Sequence, residues 1–196
     1  GVSHDTAYLE GRIVELLQQG NVHSVSMKEI ESADAVLVLG EDIWNTAPVM
    51  ALAVRQSVMK TAATRATQQS SLPGWHDAAV RELVQEEKGF LANITLLSSP
   101  LDAIAAIAMR NSPDNAARLG FAVAHLLNND IPAVSGMAEK EMLAAAHIAN
   151  ALQHAKQPVI ITGSSCCNEA LVKAAFNIVQ TLRAPGRKAA IAFVLL

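Results

Sequence analysis

A chain of 196 residues, 51% of them hydrophobic and with a formal net charge of −3, can bury one large core. It lacks the basic patch on which nucleic-acid binding depends. Apolar runs such as 36–39 and 189–196 fall far short of the roughly 20 residues of a membrane span, and the polar, acidic start does not read as a secretory leader. Aromatics make up only 4%, so alanine supplies much of the apolar content and closely packed helices are expected in place of an aromatic-lined pocket.

Along the chain, residues 6–19 put Leu9, Ile13, Leu16 and Leu17 on one helical face, and Gly20 stops that helix. Residues 26–30 lead into a continuous apolar run, 33–40, ending in Gly40, which reads as a strand buried on both faces. A loop over 41–45 follows, and Thr46 with Pro48 forms a cap and first-turn pair for a helix carrying Val49, Leu52, Ala53 and Met59. That helix runs into the polar stretch 61–71 and breaks at Leu72-Pro73-Gly74. Residues 75–87 predict a helix, 93–98 a strand, 101–110 a helix closed by Asn111-Ser112-Pro113, and 114–128 a helix with Leu119, Ala122, Val123 and Leu126 inward. Residues 131–137 read as a loop, and 139–155 as a periodic helix through Leu143, His147, Ile148, Ala151 and Leu152.

The last unit has the clearest pattern. A strand over 158–163 is followed by a helix capped by Asn168, with Leu171, Ala174, Ala175, Ile178, Val179 and Leu182 at i, i+3, i+4, i+7 spacing. Pro185-Gly186 ends it and 189–196 is the next strand, giving a βαβ unit with parallel strands. Alternating strands and helices predict an α/β protein: one domain, 1–196, as a three-layer Rossmann-like parallel sheet with helices on both faces. Gly1 in place of Met, and a final strand without a cap, predict a fragment of a longer chain.

Two strand-to-helix turns face the end of the sheet where ligands bind in open parallel folds, Gly40-Glu41-Asp42 and the stretch from Gly163 to Asn168. Neither carries G-x-G-x-x-G, there is no Walker lysine, and Glu41 and Asp42 would repel a phosphate unless a metal intervened. Plain connections are the stronger expectation. Cys166 and Cys167, the two cysteines of the chain, are too close in sequence for a relaxed disulfide and too few for the usual four ligands of a zinc or iron–sulfur site. They point to a reducing compartment. Their place near a helix start could lower a thiol pKa, but incidental or buried thiols are the plainer expectation. Among the histidines, His147 and His154 lie roughly 10 Å apart on one helix, too far for one metal. His147 and His125 read as hydrogen-bonded core residues. Glu82, Glu86 and Glu87 share a helix with Arg81 and Lys88 and read as a solvated face. Ser98-Ser99 and Ser164-Ser165 lack the G-x-S-x-G context. No catalytic, cofactor-binding or metal-ligating residue is assigned.

Four segments together resemble one family. Residues 31–42 (ESADAVLVLGED), 51–56 (ALAVRQ), 117–125 (ARLGFAVAH) and 155–164 (AKQPVIITGS) are similar, in order, to the G subunit of bacterial NADH-quinone oxidoreductase, respiratory complex I. They match its large C-terminal portion, which is similar to the molybdopterin oxidoreductase fold. The resemblance spans roughly residues 25–196. It implies a non-catalytic scaffold and interaction domain in a complex that passes electrons from NADH through FMN and iron–sulfur clusters to quinone. The clusters belong to other parts of the parent chain and the FMN to the parent complex, leaving none in this fragment. The implied partners are other subunits of the peripheral arm. The implied place is cytoplasmic, peripheral to the inner membrane, with no nucleic acid and no direct membrane insertion, and with apolar edges exposed notably at 194–196. The alternative is a cofactor-binding domain of a molybdopterin-dependent oxidoreductase, with a nucleotide across the Gly40 and Gly163 loops. A thiamine-enzyme-like central domain shares the sheet layout but not the four segments.

Overall fold

The computed structural model describes residues 4–20, 22–70, 89–183 and 188–195, side chains of 60–70 excepted. Helix α1 (His4–Gly20) leads to a short strand β1 (His23–Ser24), helix α2 (Met27–Glu31) and strand β2 (Ala35–Leu39). Helices α3 (Ile43–Thr46) and α4 (Pro48–Ser70), strand β3 (Phe90–Thr95), a 3-10 turn (Pro100–Ala103) and strand β4 (Ile107–Arg110) follow. Helices α5 (Pro113–Leu127) and α6 (Glu139–His154) precede the unit of strand β5 (Pro158–Gly163), helix α7 (Glu169–Leu182) and strand β6 (Ala190–Val194).

The six strands form one sheet in the order β1-β6-β5-β2-β3-β4, and every pairing is parallel. This is the expected α/β fold. Parallel strands need cover on both faces, and β2 and β5 are buried along their whole length. On one face Leu37, Leu39, Ile94 and Ile160 meet α5, α6 and α7. On the other, Val36, Val38, Leu91, Val159 and Ile161 meet α2, α4 and Ile43 of α3. Helix α1 sits outside α7, with Leu9 and Ile13 against Val172.

Two small features escape a reading by periodicity. Strand β1 and helix α2 occupy the segment read as a lead-in. Helix α2 forms because Ser26 and Glu29 make a capping box, with the Ser26 N–H donating to the Glu29 carboxylate at 2.8 Å. That backbone hydrogen bond, then the Ser26 hydroxyl and His23, push the Glu29 carboxyl down to about 2. Asp34, just before β2, accepts the N–H groups of Lys156 (2.8 Å) and Gln157 (2.9 Å) and aligns the starts of β2 and β5.

Several expectations are corrected. Residues 101–110 are not a helix. The 3-10 turn ends at Ala103 and the last four residues are β4, whose Ile107 and Met109 pack into the core while Ala108 and Arg110 face out. The open edge of β3 supplies hydrogen-bonding groups that outweigh alanine's helical preference, and Ala92 pairs with Ile107. Strand β3 starts and ends earlier than 93–98. The Thr95 hydroxyl donates to the Leu97 carbonyl at 2.7 Å, turning the chain and leaving Leu96 and Leu97 exposed. The loop over 41–45 contains α3. The Thr46 hydroxyl donates to the Asp42 carbonyl there, so Thr46 does not cap α4.

Helix α4 buries a different face from the expected one. Met50, Ala51, Ala53, Val54 and Val58 are inside, while Val49 (67%), Leu52 (53%) and Met59 (41%) are exposed. The backbone stays helical through the polar stretch to Ser70. Leu126 and Leu143 also point outward. Of the exposed apolar edge expected at 194–196, Val194 is buried, because β6 lies between β5 and β1, while Leu195 is exposed as expected and residue 196 lies outside the described residues. The expectations for 72–74, 75–87 and Pro185-Gly186 lie outside the described residues. Val54→Ala should cost about 2 kcal/mol in urea unfolding, two methyl groups plus a cavity, and Leu52→Ala less than about 0.5 kcal/mol. Equal losses would return Leu52 to the buried face.

Candidate functional site

Strands β2 and β5 are neighbours, with Val38 opposite Ile161, yet their exits diverge. From β2 the chain passes to α3 and α4 on one face and on to β3. From β5 it passes to α7 on the other face and on to β6. This is the topological switch point of the sheet, where open α/β folds leave a crevice beyond the strand ends. Both turns named by the sequence, at Gly40 and at Gly163, meet there.

The crevice is filled from within. Glu41 is 1% exposed. Its Oε1 accepts the Ser165 N–H at 3.0 Å and its Oε2 accepts the Ser165 hydroxyl. Cys166 Sγ donates to the Gly40 carbonyl at 3.0 Å, so the two loops are tied a second time. Gly40 has a φ of +83°, and its N–H bonds to the Ile94 carbonyl at 2.8 Å. Gly163 is required by space. A Cβ there would lie 2.2 Å from the Val194 carbonyl oxygen and 2.7 Å from Glu41 Oε1. Asn168 caps α7 as expected, accepting the Leu171 N–H at 3.2 Å, and its amide donates to Asp114 Oδ1 at 2.7 Å.

The electrostatics follow from burial. Burial pushes the Glu41 carboxyl up from its ordinary range, the two Ser165 hydrogen bonds pull it back, and the neighbouring Asp42 charge adds to the rise. Asp42 accepts from the Asn45 amide at 2.6 Å, and its other oxygen is buried without a partner. The Cys166 thiol is also pushed up, by burial first and then by Glu41 and Cys167, which is the reverse of an activated nucleophile. Cys167 is exposed, with a φ of 45°.

The other candidates do not gather here. His147 is exposed, and its ring stands edge-on to Phe90 at 5.4 Å, so it is not the core histidine expected. His125 fits that expectation better, being half-buried with Nδ1 2.6 Å from the Ile131 carbonyl oxygen. His154 Nδ1 lies 2.8 Å from the Asn150 carbonyl oxygen at the end of its own helix. Ser99 belongs to a structural knot, its N–H donating to Asp102 at 2.9 Å, while Asp102 also accepts from Asn93 and pairs with Arg110. Glu82, Glu86 and Glu87 lie outside the described residues. Among the described residues, no three of His, Cys, Asp and Glu come together as metal ligands. The inward turn of Glu41 is what the sequence reading missed. It saw a carboxylate that would repel phosphate, and no local pattern marks the residue as facing Ser165.

No family model matches the chain. Its sequence is 39% identical over 183 residues to the NADH-quinone oxidoreductase G subunit of Pseudomonas fluorescens. It is 37% identical over 194 residues to the corresponding protein of Shewanella oneidensis, and 36% over 194 residues to that of Escherichia coli K12. The chain is homologous to one region of the NADH-quinone oxidoreductase G subunit. These alignments cover 93% to 99% of this chain and 20% to 21% of each relative, so the chain spans about a fifth of their length. Among solved structures, a chain of the formyltransferase/hydrolase complex from Methylorubrum extorquens, in complex with methylofuran, superposes with a TM-score of 0.54. The superposition covers 98% of this chain and 43% of that one at 19% identity, a likeness of fold alone.

Because the folded protein holds the Glu41 proton more tightly than the unfolded chain, the stability Glu41 contributes is fullest below its ordinary value of 4.5 and is lost as pH rises through the folded value. Glu41→Gln keeps the shape without the charge. It should match or exceed the parent in urea unfolding at neutral pH, and the difference should shrink below the ordinary carboxyl range. A variant whose deficit grows with pH would reverse the sign. The thiols give a separate measurement, since Cys167→Ser leaves Cys166 as the one reactive group. Near neutral pH it should react with a thiol reagent more slowly than in the urea-unfolded chain. Faster labelling in the folded state would mark it as activated.

Proposed function

We propose that the chain is a non-catalytic scaffold and interaction domain of the G polypeptide of NADH-quinone oxidoreductase, within a complex that passes electrons from NADH through FMN and iron–sulfur clusters to quinone. The clusters lie on other parts of that polypeptide and the FMN on another part of the complex. This domain holds neither. It supports the cluster-bearing part and offers its outer surfaces to other subunits of the peripheral arm, on the cytoplasmic side of the membrane. No helix among the described residues is long and apolar enough to cross a membrane, which agrees with a peripheral place.

The observation that carries this reading is the filled switch point. The crevice where a fold of this kind would take a nucleotide contains the chain's own Glu41 carboxyl, held by both donors of Ser165. A dinucleotide would have to displace that group and then place its phosphates beside Asp42. The alternative, a pterin-nucleotide domain, requires an open crevice at the same place. Thermal unfolding of the purified chain with guanine dinucleotides or NADH separates the two. The scaffold reading expects an unchanged midpoint. A saturable rise at micromolar ligand, abolished by changes in the Gly40 or Gly163 loop, would establish the cofactor reading in its place.

A further inference from the structure

The scaffold reading explains why a ligand stays out of the crevice. The same geometry also says what kind of ligand would fit if the crevice were emptied. We propose that the Glu41 side chain is a tethered stand-in for a small carboxylate ligand, and that Glu41→Ala converts its place between the Gly40 and Gly163 loops into a binding site for a free monocarboxylate of acetate size. The proposal deepens the scaffold reading, on which it rests.

Three observations converge on it. The carboxyl is fully buried and is held as a bound ligand would be, one oxygen on the Ser165 N–H at 3.0 Å and the other on the Ser165 hydroxyl. Ser165 lies four residues ahead of the first residue of α7, so both donors belong to the β5–α7 turn and the site is not a helix N-terminus. The walls are also set independently of Glu41. Gly163 approaches Oε1 closely with no side chain of its own, its neighbour Ser164 donates its N–H to the Val194 carbonyl at 3.0 Å, and Cys166 holds the Gly40 carbonyl at 3.0 Å. Removing Glu41 beyond its Cβ therefore leaves the donors and most of the lining in place. What is deleted is one methylene and one carboxyl group, the heavy atoms of acetate. Two donors aimed at two oxygens favour a planar carboxylate over a spherical halide. Asp42 beside the site disfavours a multiply charged anion such as phosphate.

The test is thermal unfolding of the whole chain and of Glu41→Ala in sodium acetate and in sodium chloride of equal ionic strength. Without acetate, the Glu41→Ala midpoint should fall by about 4–8 °C, because two half-buried donors of Ser165 lose their carboxylate acceptor. Acetate should restore at least half of that fall with saturation in the millimolar range, while chloride should not. The parent chain and Glu41→Gln, in which the place is occupied, should show no acetate-specific shift. If Glu41→Ala does not accumulate as folded protein, refolding it in acetate should raise the soluble yield over refolding in chloride. Equal effects of acetate and chloride, or an acetate shift of the same size in the parent, would overturn the proposal. That failure is distinct from failure of the scaffold reading, which would appear as nucleotide binding by the parent chain.

Discussion

The structure turns on one close approach at the carboxyl end of its sheet. Beside Gly163 the chain leaves no room for a side chain, because the Val194 carbonyl and the Glu41 carboxyl both press on the same Cα. Three strands converge there. β6 reaches it through its last residue, β2 through the turn that carries Glu41, and β5 through the glycine itself. The helices that follow β2 and β5 depart to opposite faces, so backbone pairing alone would leave their first turns unconnected. The Glu41 carboxyl and the Cys166 thiol supply the connection. Burying a carboxylate costs several kcal/mol, and hydrogen bonds to a charged group return about 1.5–3 kcal/mol each. Two such bonds offset much of that cost, which is why the carboxyl is tolerated inside; the burial they do not offset, with the Asp42 charge beside it, is why its proton is held more tightly than in water.

What the sequence made legible was the part dictated by burial. A strand covered on both faces must be apolar throughout, and β2 and β5 announce themselves as such runs. Helix α7 carries a stripe that fits no other role, so the β5–α7–β6 unit and the parallel sheet follow from pattern alone. The location of the ligand end also followed, since a parallel sheet presents all its strand ends on one side. What did not follow was which residue of the Gly40 turn faces inward. That depends on how far β2 and β5 are offset and on the absence of a Cβ at Gly163, a long-range relation between residues 122 or more positions apart.

The misread elements have local causes. In the first half of α4, Val49, Leu52 and Met59 on one side are matched by Met50, Val54 and Val58 on the other, so periodicity cannot say which side meets the sheet. The choice was made by α2 and the sheet, which receive Met50, Val54 and Val58. In residues 101–110, alanines pointed to a helix, while the Ser99–Asp102 turn consumed the first half and the open edge of β3 recruited the second. Both errors are cases of tertiary pairing overriding a weak local preference.

The alanine content has a consequence for rigidity. Ala116, Ala117, Ala122, Ala124, Ala174 and Ala175 are all buried in the layer that contains α5 and α7. An alanine side chain has no rotamers to lose, so such a layer is ordered at little entropic cost and has few alternative packings. Beneath these helices the β2 and β5 turns are closed on each other by Glu41 and Cys166. The same economy has a limit. With small side chains inside, much of the larger apolar surface, including Val49, Leu52, Leu96, Leu97 and Leu143, remains on the outside. The apolar surface that the core does not take therefore lies on helix exteriors and strand-end loops, and not in the crevice at the switch point, which Glu41 occupies.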